Sequence, residues 1–180
     1  MPDTSFQGRI WVLANAEGAL IEDIDTDQIY HNAFLHITDI DGMGRYALGN
    51  LEGWKDFPDR ARPGDILIAG RNFGAGSSRQ QAVDCFKALK TGMILAPSFG
   101  AIYFRNAVNS AFPVLTGPDL KARVDRGELR SGDELAIDVR TGVSRNLTRD
   151  MSFSLTPMSE VQFGVWRAGG LFSYARNTEG

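Results

Sequence analysis

The 180 residues are 43% hydrophobic and 23% charged, with a net charge of −3, the composition of a globular chain long enough to bury a sizeable core. Basic residues are scattered, which argues against nucleic acid as a partner, and no apolar run suits a membrane span or a secretion signal, so the expected setting is cytoplasmic. A single cysteine, Cys85, excludes an internal disulfide, a Cys-rich zinc site or an iron–sulfur cluster built by this chain alone.

In chain order, residues 9–14 read as a first strand and 15–18 as a turn. Glu22, Asp23, Asp25 and Asp27 then place four carboxylates in six residues, a spacing that suits a polar loop or a loose cation site alike. His31 and His36 follow, too few for a metal site without further ligands. Asp41-Gly42-Met43-Gly44 and the unpatterned stretch 46–62 read as a long loop that orders only against a partner.

Pro63-Gly64 turns the chain into an apolar run, 65–69, expected as a strand. Beyond Gln80 an amphipathic helix sets Ala82, Cys85, Phe86 and Leu89 on one face and stops at Lys90-Thr91-Gly92. Between them lies Gly70-Arg71-Asn72-Phe73-Gly74-Ala75-Gly76-Ser77-Ser78-Arg79. Its glycines allow positive φ and close backbone approach, and the unpaired amides of the following helix favour an anion. The spacing matches neither a dinucleotide fingerprint nor a P-loop. What it does suit is a small carboxylate, gripped by two hydroxyls and a guanidinium expected on the first helical turn. A serine cap with a solvated arginine is the plainer alternative.

Residues 92–96 form a second apolar strand. From Ser98 a helix is expected to bury Ala101, Phe104, Ala107, Val108 and Ala111, ahead of a strand at 113–115, which together suggest a right-handed α/β layer. A short helix is expected over 118–126. Leu135, Ile137 and Val139 then alternate, Thr141-Gly142 turns the chain back for a hairpin, and 151–155 adds a strand. Helical spacing returns over 157–168 and ends at Gly169-Gly170, with 176–180 as a frayed tail. No repeat or internal boundary appears, so a single domain is expected over 1–180.

The glycine-rich stretch, followed by Ala96-Pro97-Ser98-Phe99-Gly100-Ala101-Ile102-Tyr103-Phe104-Arg105-Asn106-Ala107 and preceded by Asp25-Thr26-Asp27-Gln28-Ile29, closely resembles the small subunit of 3-isopropylmalate dehydratase, the swivel domain of the aconitase superfamily. The resemblance implies an α/β, three-layer β/β/α swivel domain with a mostly parallel sheet, flanking helices and a C-terminal β-hairpin and helix. It implies a hydro-lyase that removes and re-adds water next to carboxylates. The [4Fe–4S] cluster that binds the substrate hydroxyl would belong to a large partner subunit, with no cofactor or metal held here.

By the same resemblance Ser77 is the base, Ser78 and Arg79 bind the substrate carboxylate, Asp27 orients a binding group, and Gly74 and Gly76 shape the loop. Phe34 and His36 lie on the segment that selects the substrate. That segment usually reads like Ile-Ile-Pro-Ala-Arg-Tyr-Leu, whereas here His31 stands for the proline, Ala33 for the basic residue and Phe34 for the tyrosine. The implied substrate is a hydroxy di- or tricarboxylate, 3-isopropylmalate of leucine biosynthesis first, with the homocitrate/homoaconitate pair of a homoaconitase and dimethylmalate or citramalate types as alternatives. A non-catalytic anion-binding module is the rival of another class.

Overall fold

The computed structural model describes residues 3–178. Seven strands share one sheet: β1 (Ser5–Val12), β2 (Ile66–Ile68), β3 (Met93–Ala96), β4 (Val114–Thr116), β5 (Glu134–Asp138), β6 (Val143–Asn146) and β7 (Met151–Ser154), in the order β4-β3-β2-β1-β5-β6-β7. Their ladders divide evenly. β1 to β4 run parallel, with Ile10 opposite Ile66, Ile66 opposite Met93 and Ile94 opposite Val114. β5, β6 and β7 form an antiparallel meander joined through β5 to the other edge of β1. The α/β class is as expected, and the hairpin strands extend the parallel sheet instead of standing apart from it.

Burial explains the two sequence patterns. In the parallel half Leu67 and Ile94 enter one core while Ile66, Ile68, Met93 and Leu95 enter another, so both faces are covered and every position is apolar. In β5 only Leu135 and Ile137 are buried, which produces the alternation. The start of β1 follows the second rule. Ser5–Arg9 pairs with Arg9↔Glu134 through Ser5↔Asp138, so its polar residues conceal a strand that begins before Arg9.

Helices α3 (Gln81–Ala88) and α4 (Ala101–Asn109) connect β2 to β3 and β3 to β4 and pack on the first core, where Val83, Phe86 and Ala107 are buried. Cys85 is fully buried among them, a small core residue whose thiol is pushed up by burial. On α4 the buried residues are Tyr103, whose hydroxyl donates to the Ala82 carbonyl at 3.1 Å, and Ala107, whereas Phe104, Val108 and Ala111 are only partly buried and Ala101, expected inside, is exposed because the buried face runs through 103 and 107. The second core takes Leu120 of α5 (Leu120–Asp125) and Phe163 of α6 (Glu160–Ala168). Helix α7 (Leu171–Thr178) occupies most of the expected tail, and the last two residues of that tail lie outside the described residues.

The segment expected to order only against a partner instead roofs the first core. Leu48, Leu51, Trp54 and Phe57 are buried there, Trp54 Nε1 donates to the Ala14 carbonyl at 3.0 Å, and Trp11 meets both Trp54 and Phe57 edge-on. The four recur at every third residue, joined by turn bonds from the Leu51 amide to the Leu48 carbonyl, Trp54 to Leu51 and Phe57 to Trp54, ahead of the single-turn helix α2 (Phe57–Arg60). A spacing of three matches neither the 3.6 of an α-helix nor the 2 of a strand.

Asp65 fastens this roof to the sheet. Its carboxylate, 4% exposed, accepts from Arg9 Nη2 at 2.6 Å, Trp11 Nε1 at 2.7 Å and the Arg62 amide at 2.8 Å. Asp65→Ala leaves a buried indole donor and a part-buried guanidinium without their partner. The expected loss is about 3 kcal/mol, which for a chain of this size lowers Tm by roughly 6–12 °C. Thermal unfolding followed by circular dichroism checks this, and an unchanged midpoint would contradict it.

Candidate active site

Three segments converge beyond the end of β2. The acidic segment leads into the single-turn helix α1 (Thr26–Ile29), the glycine-rich loop follows β2, and Ser98 to Gly100 precede α4. Asp25 caps α1 by accepting the Gln28 amide at 2.8 Å, while the Gln28 side chain takes the Asp25 amide at 3.0 Å. The other carboxylates are separately partnered. Glu22 lies 3.5 Å from Arg71, Asp23 accepts from the Asn72 side chain at 3.0 Å, and Asp27 faces Arg79.

Backbone bonds hold the glycine loop on both sides. Asn72 donates its amide to Ser98 Oγ at 2.9 Å, Gly100 donates to the Phe73 carbonyl at 2.8 Å, Gly74 to Ile24 at 2.7 Å, and Thr26 to Ala75 at 2.9 Å. Gly74 sits at φ +79°, where a Cβ would come within 2.2 Å of the Tyr103 ring. At Gly76, φ is +93° and a Cβ would make only ordinary contacts, 3.7 Å from Thr26 Oγ1 and 3.9 Å from Asp25 Cβ, so conformation alone demands the glycine there. These are the two loop-shaping glycines of the sequence reading.

Ser77, Ser78 and Arg79 come just before the helix, not on its first turn. α3 begins at Gln81, with the Arg79 carbonyl accepting from Ala82 at 3.0 Å and the Gln80 carbonyl from Asp84 at 3.0 Å. The amides of Ser77, Ser78 and Arg79 donate to no acceptor among the described residues. Both serines are exposed.

Arg79 is anchored. Its side chain is 12% exposed, and Nη1 donates both to Asp27 Oδ1 at 3.0 Å and to the Tyr30 carbonyl at 2.7 Å. Nε and Nη2, the edge that grips a carboxylate side-on, donate to nothing among the described residues. Asp27 also accepts the Asn32 amide at 3.0 Å and the Asn50 side chain at 3.1 Å. The Asn32 amide foremost, and Arg79 with it, hold the Asp27 carboxyl below its ordinary range against the opposing effect of partial desolvation.

The segment after α1 is tied to the same carboxylate. His31 Nδ1 caps a 3₁₀ turn over Asn32–Phe34 by accepting the Ala33 amide at 3.0 Å, and its Nε2 lies 4.0 Å from Asp27. Phe34 stacks on Tyr46 with ring centroids 4.0 Å apart, and exposed His36 is 3.1 Å from the Ala33 carbonyl through Nδ1. Neither makes a hydrogen bond to the serines or Arg79 among the described residues. Sequence reasoning missed Asn50 and Asn106. Asn106 donates to Ser78 Oγ at 3.3 Å, and its place beside Phe104 and Arg105 in the motif after β3 was the one available signal.

No group of three or more His, Cys, Asp and Glu side chains among the described residues is placed to hold a metal ion. With Cys85 sealed in the core, this chain offers no fit for an iron–sulfur cluster. No described helix is long and apolar enough to cross a membrane.

An aconitase C-terminal domain family model matches residues 50–117, the stretch from Asn50 through the glycine loop to the turn after β4. The chain is 40% identical to the 3-isopropylmalate dehydratase small subunit of Pyrobaculum calidifontis over 86% of its length and 91% of that protein's. It is 34% identical to the methanogen homoaconitase small subunit of Methanothermobacter thermautotrophicus over 96% and 91%. A crystal structure of 3-isopropylmalate dehydratase from Methanocaldococcus jannaschii superposes with a TM-score of 0.82 at 26% identity, covering 97% of this chain and 95% of the other. With this extent of likeness in both sequence and fold, the chain belongs to the family of 3-isopropylmalate dehydratase small subunits.

Proposed function

We propose that this chain is a single swivel-type domain, residues 1–180, serving as the small subunit of a cytoplasmic heteromeric hydro-lyase. The substrate is a hydroxy di- or tricarboxylate, 3-isopropylmalate in leucine biosynthesis first. The homoaconitase relative makes the homocitrate/homoaconitate pair the second reading, and the exchanged residues at His31, Ala33 and Phe34 change the wall that selects the substrate. The large subunit carries the [4Fe–4S] cluster, and the steps below concern only this chain.

The observation that carries the reading is the state of Arg79. One nitrogen is tied down by Asp27 and Tyr30, and the Nε–Nη2 edge is left for a carboxylate beside two exposed serines. Ser77, as its alkoxide, takes the proton from the substrate carbon and becomes the neutral hydroxyl, and Ser78 and Arg79 bind the adjacent carboxylate. Asp27 keeps the guanidinium oriented, and Phe34 and His36 stand on the selecting wall that Asp27 links to the site through Asn32. A serine hydroxyl is a weak base in water, so Ser77 needs positive charge nearby and exclusion of solvent. Its exposure on this chain is the reason a second subunit must close over it.

Two outcomes test these assignments in the heteromer. Ser77→Ala should assemble normally and lose at least about 100-fold in kcat, and activity above about a tenth of wild type, ~1.4 kcal/mol of barrier, would contradict its role. Asp27→Asn keeps the shape but removes the charge opposite Arg79, and should raise KM at least about tenfold with a smaller change in kcat. Because the Asp27 carboxyl is lowered in the fold, the stability it adds is present above the ordinary carboxylate range and lost as pH falls through its folded value. The wild-type advantage over Asp27→Asn in urea unfolding should therefore hold at neutral pH and fade below roughly pH 4. An advantage that grows on acidification would be the wrong sign.

A further inference from the structure

We propose that Thr26 is a positioning residue for Ser77, an inference that rests on the reading of Ser77 as the base. Thr26 is 4% exposed and its hydroxyl donates to the Ser77 carbonyl at 3.1 Å. Its own amide donates to Ala75 at 2.9 Å and its carbonyl accepts the Tyr30 amide at 2.9 Å, so the hydroxyl is carried on backbone fixed at both ends. The peptide between Ser77 and Ser78 is planar and trans. With the Ser77 carbonyl drawn toward α1, the Ser78 N–H points away from it. That amide has no acceptor among the described residues.

Thr26 thereby fixes both the direction in which the Ser77 side chain leaves the loop and the direction of the neighbouring free amide. The next residue, Asp27, fixes Arg79. One four-residue helix thus gauges the separation of base and cation, with consecutive side chains acting on different segments of the loop. Thr26 touches no reacting atom in this scheme, so its removal should slow the proton transfer while leaving the Arg79 grip in place.

The test compares Thr26→Val, which keeps the shape without the hydroxyl, with Thr26→Ser, which keeps the hydroxyl without the buried methyl. Both are made in the complex with the large subunit, beside Ser77→Ala, on whichever of 3-isopropylmalate and homoaconitate the wild type turns over. Thr26→Val should lose at least about tenfold in kcat with KM within about threefold, since a small misplacement of a reacting group is costly. Thr26→Ser should recover kcat to within about threefold of wild type.

A merely structural role predicts the opposite order, because Thr26→Ser forfeits packing that Thr26→Val retains. Thr26→Val at full kcat, or Thr26→Ser equally slow, overturns the inference while an inactive Ser77→Ala leaves the base assignment standing. An active Ser77→Ala overturns the base assignment itself. A crystal structure of Thr26→Val should show the Ser77 carbonyl turned away from α1, and an unmoved carbonyl overturns the inference whatever the rates.

Discussion

The pair formed by Asp27 and Arg79 decides what the site offers. A guanidinium has two edges suited to carboxylates, and a free arginine presents both to any anion in reach. Here Asp27 and the Tyr30 carbonyl share one nitrogen, and this fixes the plane of the group and leaves the other edge for a ligand. Asp27 is itself constrained by Asn32 and Asn50, so the grip is connected to the segment after α1 and to the roof of the first core. Arg79 on its own would be a charge on a loop. Within this network it is a directed donor.

The fold supplies what that network needs. β1 is parallel to β2 on one edge and antiparallel to β5 on the other, and the two cores cover both faces of the sheet where the loop leaves β2. The buried strands give the loop a rigid base. Gly74 lets it press against Tyr103, which α4 holds against the Ala82 carbonyl. The serines then emerge before α3 begins, with their backbone amides unclaimed. A rigid frame under an exposed, polar tip suits a half-site completed by another surface.

Much of this was legible in the sequence, for identifiable reasons. The strands at 66–68 and 93–96 are apolar throughout because both faces are buried, and β5 alternates because one face is not. The glycine loop declared itself through its spacing, and the motifs on either side of it pointed to the family. The start of β1 was hidden by polar residues paired with β5, and the roof over the first core was hidden because successive turns deliver its apolar residues at a spacing of three, which matches neither helix nor strand. Arg79 and Asn50, which bond Asp27, and Asn106, which bonds Ser78, lie far from them in the chain, and no periodicity reports a contact between loops. Helix α7 was obscured by Gly169-Gly170, which end α6 without ending the helical structure.

The most direct measurement is steady-state turnover by the heteromer, purified without oxygen with its cluster intact, on 3-isopropylmalate and homocitrate side by side. The account predicts reversible dehydration of one of them. Tight binding of either acid to a cluster-loaded complex, with no dehydration of any hydroxy acid tried, would contradict it and leave Ser77 to Arg79 as an anion-binding surface.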